Sequence, residues 1–198
     1  MRMDRPYTPT HYLLVDFEAT CCDQGSVPRQ EMEIIEVGAV MVESASLGIV
    51  GEFQSFVRPQ RHPRLTAFCS GLTHISQAEV DAAPTFPEVC AHWKTWLSGF
   101  PDYLFCSWGD YDRTQLEQDC ALHRVPYPMR SGHLNVKRQF AHQQHLPRPL
   151  GLGQAVELAG LTFIGTHHRG IDDARNIAQL LPYIFGAARV PQQGGQSR

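Results

Sequence analysis

Apolar positions follow two rhythms along the chain. The first is nearly continuous. Tyr12-Leu13-Leu14-Val15-Asp16-Phe17 is a short apolar run that ends in acids, as a strand buried on both faces would be. Residues 34–42 form a second run, rich in β-branched side chains, and residues 49–57 a third. The link across residues 43–48 is short enough to join these two as an antiparallel hairpin. Residues 103–106 predict a fourth strand. The second rhythm is helical. Phe86, Val89, Cys90, Trp93 and Leu97 fall on one helix face. Thr85 with Glu88 opens that helix as a capping box, and Ser76 with Glu79 has the same form. Further helices are predicted over residues 112–124, with Leu116 and Cys120 inward, over 153–158, and over 172–184, with Ile177, Leu180, Leu181 and Ile184 on one face. Pro126 and Pro128 stop the first of these. Residues 129–150 show no readable rhythm. Three strands followed by alternating helix and strand predict an α/β fold, a mixed sheet flanked by helices.

The length, 198 residues, suits one domain. It is expected over residues 11–188, with 1–10 a flexible lead-in and 189–198 a disordered tail. The apolar content, 42%, excludes a wholly disordered chain. No apolar stretch approaches the ~18 residues of a membrane-crossing helix, and the first residues lack the apolar segment of a secretory signal. Six cysteines without a CxxC pair read as reduced thiols, hence a cytoplasmic location. The net charge of -3 supplies no global field for a polyanion. Such a ligand would need metal ions or local cations, such as Arg58, Arg61 and Arg64 with His62, Lys137-Arg138, or Arg148 with His142 and His145.

Three groups of acids stand where acids are costly. Asp16 and Glu18 are two apart at the end of the most apolar strand, so both face one side and need a cation or a proton to offset their repulsion. Asp110-Tyr111-Asp112 follows the fourth strand, at the strand-end position where ligands gather in open α/β sheets. His167-His168-Arg169-Gly170-Ile171-Asp172-Asp173 opens the last long helix. Singly, each has an ordinary explanation: a solvated strand end, a helix cap, a surface histidine. Together, four carboxylates and a histidine suit two-metal phosphoryl hydrolysis, with hard oxygen ligands for Mg²⁺ or Mn²⁺ and a base that titrates near neutrality.

At these residues the chain resembles the DEDDh 3′–5′ exonucleases of the DnaQ-like (RNase H-like) superfamily, most closely the ERI-1 / 3′hExo-like branch with its KapD-type members. Leu13-Leu14-Val15-Asp16-Phe17-Glu18-Ala19-Thr20-Cys21 resembles the first motif, and residues 33–40 continue it. Phe68-Cys69-Ser70-Gly71-Leu72-Thr73-His74-Ile75 resembles the FCxxLTGI segment, with His74 in place of glycine. Ser107-Trp108-Gly109-Asp110-Tyr111-Asp112 resembles the second motif, and His168 to Asp173 the His-x4-Asp third motif.

The resemblance implies an RNase H-like mixed sheet, with three leading antiparallel strands and then parallel ones. It implies two Mg²⁺ or Mn²⁺ ions per site. Asp16 would bridge them, Glu18 and Asp173 would complete the nucleophile-side ion, and Asp112, rather than Asp110, would serve the other. His168, rather than His167, would be the general base. Substrate contacts would come from Phe17, Ala19, Thr20, Leu72, Thr73, Ile75, Trp108 and His168, with Arg169 near phosphate. The implied partner is single-stranded nucleic acid with a free 3′ end, favouring RNA, cut to nucleoside 5′-monophosphates. Single-stranded DNA or proofreading-type digestion is the alternative. A non-catalytic module that only holds nucleic-acid ends is a further one.

Overall fold

The computed structural model describes residues 8–191. Five strands form one sheet in the order β3-β2-β1-β4-β5: β1 (His11–Ala19), β2 (Ile34–Glu43), β3 (Ile49–Phe56), β4 (Tyr103–Ser107) and β5 (His133–Asn135). The first three pair antiparallel; β4 runs parallel to β1, and β5 parallel to β4. This is the mixed sheet expected from the sequence.

The near-continuous apolar run of β1 follows from its place at the centre. Tyr12 and Leu14 enter one core with Val40, Val42 and Cys106. Leu13, Val15 and Phe17 enter the opposite core with Ala39, Met41 and Phe105. Both faces are covered, so both sets of alternating positions are apolar.

On the second face lie α3 (Phe86–Leu97) and α4 (Tyr111–His123). Phe86, Val89, Cys90, Trp93 and Leu97 are all buried, as the periodicity predicts. Glu88 accepts the Thr85 amide at 2.7 Å, and Glu79 likewise accepts that of Ser76, ahead of α2 (Gln77–Ala82). On the first face lie α5 (Val136–Gln143), α6 (Leu152–Leu158), α7 (Gly170–Gln179) and α8 (Leu181–Ile184). The single helix expected over 172–184 is therefore two. Pro182 sits in the first turn of α8, where it has no N–H to extend the ladder of α7.

The structure adds α1 (Ala67–Thr73), β5 and α5, none of which is predicted from pattern. Single residues near the chain ends make defined contacts. Pro9 is buried, and Thr10 bonds Asp102 through its amide and hydroxyl. The Val190 amide donates to Gln144 at 3.0 Å. Pro9, Thr10 and Val190 are thus held in place; residues 1–7 and 192–198 of the expected lead-in and tail lie outside the described residues.

Candidate metal and nucleic-acid site

Side chains of Asp16 and Glu18 continue the face of Tyr12 and Leu14 beyond the point where apolar cover ends. The N-terminus of α7 comes down onto this spot because two glycines face each other. A Cβ on Gly38 would lie 2.0 Å from the Gly170 carbonyl carbon, and one on Gly170 would lie 2.8 Å from the Asp16 carbonyl oxygen. Only bare backbone permits this approach. Glu36 fastens it: one carboxylate oxygen accepts from Arg169 Nε at 3.1 Å and the Gly170 amide at 3.0 Å, and the other from Gln54 at 3.1 Å. Asp173, in the first turn of α7, thereby reaches the acids of β1. Ligand oxygens of Asp16, Glu18 and Asp173 lie within 4.8 Å of one another.

The fourth carboxylate arrives from the other side of β1. Gly109, at φ 134°, turns the chain from β4 into α4, and Asp112 in the first turn accepts the Phe17 amide at 3.0 Å. Asp112 is 4% exposed. Asp110 points elsewhere, bonded to Arg138 at 3.0 Å and 3.9 Å from His133. Of the other doubled acid, Asp172 braces the preceding loop, accepting from the Thr166 amide at 2.9 Å and from Arg175 at 3.0 Å.

Asp16, Glu18, Asp112 and Asp173 line a cleft of about 400 Å³ that also contains Phe17, Ala19, Leu72, Trp108, His167 and His168. Three expected substrate contacts are outside that lining. Thr20 is buried, with its hydroxyl accepting the Glu33 amide. Thr73 spends its hydroxyl on the Cys69 carbonyl and the Ile75 amide, and Ile75 is fully buried with Ile35, Cys69 and Val80. His74 stands at the C-cap of α1 with φ 57°, a left-handed position that suits the glycine of the motif. Its side chain is exposed and is not part of the lining.

Tyr111, Met32, Cys21, Gly151 and Leu152 also line the cleft, unanticipated by the sequence reading. So was Glu36, whose signal was legible: a lone acid inside an apolar strand, directly opposite Glu18 in register. Tyr111 lies at the rim beneath the Arg29 guanidinium, 4.7 Å from its ring centroid.

Burial and mutual repulsion push the acids toward their protonated forms. Asp16 is raised well above the usual carboxylate range by burial, then by Asp112, Glu18 and Asp173. Glu18 is raised to about 9 by burial, then by Asp173 and Glu36. Asp173 rises to about 7 by burial, although the His168 amide opposes the shift. Asp112 rises to about 6 by burial against the Phe17 amide. Asp173 Oδ1 is buried without a hydrogen-bond partner. Crowded oxygen donors, charge without a counter-charge and one orphaned oxygen fit hard divalent cations. His168 is held below the usual histidine range by burial and by the neighbouring His167 and His74, a shift toward the neutral ring.

The sequence matches the family described as Exonuclease, RNase T, over residues 13–181. It is 33% identical over 193 residues to the 3′-5′ exoribonuclease 1 of Rattus norvegicus, which covers 93% of this chain and 54% of the relative. The chain therefore spans about half the length of that curated relative. It is 30% identical over 196 residues to the 3′-5′ exonuclease Snipper of Drosophila melanogaster, covering 89% of this chain and 69% of the relative. Among solved structures, the nuclease domain of 3′hExo, a DEDDh family member bound to rAMP, superposes with a TM-score of 0.80 at 31% identity, covering 91% of this chain and 94% of that one.

Proposed function

Because the chain belongs to the exonuclease family, with relatives of the ERI1/3′hExo type, we propose that it is a metal-dependent 3′–5′ exonuclease acting on the 3′ end of single-stranded RNA. The observation that carries the reading is the convergence of Asp16, Glu18, Asp112 and Asp173 with His168 on one cleft. Two Mg²⁺ or Mn²⁺ ions, when bound, would stabilise the charge on the attacking and leaving oxygens of an in-line displacement.

Asp16, between the other acids, would be shared by both cation positions, Glu18 and Asp173 would complete one, and Asp112 the other. His168, its ring shifted toward the neutral form by burial, accepts the proton of the water that attacks the last phosphorus. The bond from that phosphorus to the 3′ oxygen of the preceding nucleotide breaks. The terminal nucleotide leaves as a 5′-monophosphate, and solvent protonates the new 3′ end. Ala19, Leu72 and Trp108 offer apolar contact to the terminal nucleotide, which accepts any base; the Phe17 ring, expected among these contacts, instead packs edge-on against Trp93 in the opposite core. Trp108 is fixed for this by donating its indole N–H to the Leu150 carbonyl at 3.1 Å. The ribose preference rests on the exoribonuclease relatives and on the rAMP held by the 3′hExo domain. Six free thiols suit a reducing compartment such as the cytoplasm, and no helix among the described residues is long and apolar enough to cross a membrane.

The test is parallel digestion of 5′-labelled single-stranded RNA, single-stranded DNA and duplexes with Mg²⁺ or Mn²⁺, and with EDTA. Stepwise shortening of RNA from the 3′ end, lost in EDTA and in Asp16→Asn, is expected. Digestion that survives either would remove the reading, and faster loss of DNA would move it to the DNA alternative.

A further inference from the structure

His167 has no part in this hydrolytic chemistry, yet its ring centroid lies 4.0 Å from that of His168. Successive side chains in an extended chain point to opposite faces. Here His168 takes φ 64°, a left-handed conformation unfavourable for a residue with a Cβ, and the turn brings both imidazoles to one side. Phe163 meets the His167 ring edge-on, at 5.2 Å and 86°. Ligand atoms of His167, His168 and Asp173 all lie within 4.8 Å of one another. Asp173 is 4% exposed; one oxygen takes the His168 amide at 3.2 Å, and the other is the buried, unpartnered Oδ1.

Two imidazoles and a carboxylate differ in kind from the all-oxygen set beside them. Nitrogen donors favour borderline-soft zinc over magnesium, and three protein ligands with an open fourth position are a common zinc arrangement. We propose that His167, His168 and Asp173 form a zinc-binding site overlapping the hydrolytic site, in which zinc withdraws His168 and Asp173 from catalysis. The inhibitory part rests on the exonuclease reading; the binding part does not.

The experiment is a calorimetric titration of the EDTA-treated chain with Zn²⁺, and a parallel titration with Co²⁺ read by its visible absorption. Wild type should bind Zn²⁺ more tightly than His167→Ala, on the order of 10–100-fold, and show a Co²⁺ band that the variant loses. Mn²⁺ should bind both alike, which also shows that the variant is folded. Added Zn²⁺ should slow cleavage by wild type more than by His167→Ala. Equal Zn²⁺ affinity in the two proteins would overturn the site. The exonuclease reading fails separately, as Mn²⁺ binding that Asp16→Asn leaves intact.

Discussion

Glu18 and its neighbours place a conflict at single residues: the fold gathers carboxylates that repel. Their folded pKa values lie above the ordinary 3.8 of aspartate and 4.5 of glutamate, with Asp112 at about 6, Asp173 at about 7 and Glu18 at about 9. In that interval the folded chain holds protons that the unfolded chain has released. Stability of the metal-free protein must therefore fall as pH rises from about 4 toward 9. Thermal melts in EDTA across that range should show the decline, and saturating Mn²⁺ should reverse it. Glu18→Gln keeps the shape and removes the proton uptake that folding requires of Glu18 at pH 8, so it should melt higher than wild type in EDTA at that pH, by at least about 2–4 °C for ~1 kcal/mol, while losing activity. A lower melt would show that Glu18 is not in repulsive company. At the base position, His168→Ala should cost about 10²–10⁴-fold in rate and His167→Ala much less; a reversed ranking in single-turnover cleavage would transfer the base role. The strand-end pair and the His-to-Asp spacing were readable because period-two geometry and motif spacing are local. Periodicity alone did not separate Asp110 from Asp112; the resemblance favoured Asp112, and the physical difference is that Arg138 takes the one and the Phe17 amide bonds the other.

At the scale of elements, the site exists because α7 is seated against the backbone of β1 and β2. Gly38→Ala would put a methyl group 2.0 Å from Gly170, which α7 can relieve only by lifting. The expected result is destabilisation of roughly 1–3 kcal/mol together with weakened Mn²⁺ binding, read by melts and calorimetry. Gly71→Ala is the control, because a Cβ there meets nothing within 4 Å inside a helix; it should be neutral or stabilising, by up to about 1 kcal/mol. Equal effects of the two changes would refute the docking argument. The same contact explains why patterns reached some elements and not others. β1 and α3 bury whole faces, so their rhythm is complete. β5 is three residues long and half-buried, and α5 buries only Val136, Phe140 and Ala141, too little to declare a period. α1, with Ser70 and Gly71 inside it, is set by the Thr66 hydroxyl accepting the Cys69 amide at 3.0 Å, a signal weaker than a hydrophobic stripe.

Across the whole molecule, charge is arranged against tight capture of a long polyanion. The net charge is -3, and among the described residues no lysine or arginine lines the cleft. Nearby arginines are engaged: Arg169 with Glu36, Arg138 with Asp110, Arg175 with Glu52 and Asp172, and Arg29 with Gln115 and the Tyr111 ring. On the proposed function, neutralisation of the terminal phosphates would then fall to divalent cations, and the bases would be held by apolar contact. Each phosphate neutralised by a side chain contributes about -0.7 to the slope of log affinity against log salt for a single strand. Binding of a phosphorothioate-capped RNA oligonucleotide in excess Mg²⁺, followed by anisotropy over a KCl series, should therefore give a slope no steeper than about -2, the value for roughly three such contacts. A slope of about -5 would mean that a basic surface, such as Arg58, Arg61 and Arg64, tracks the strand, and that recognition extends well beyond the 3′ end.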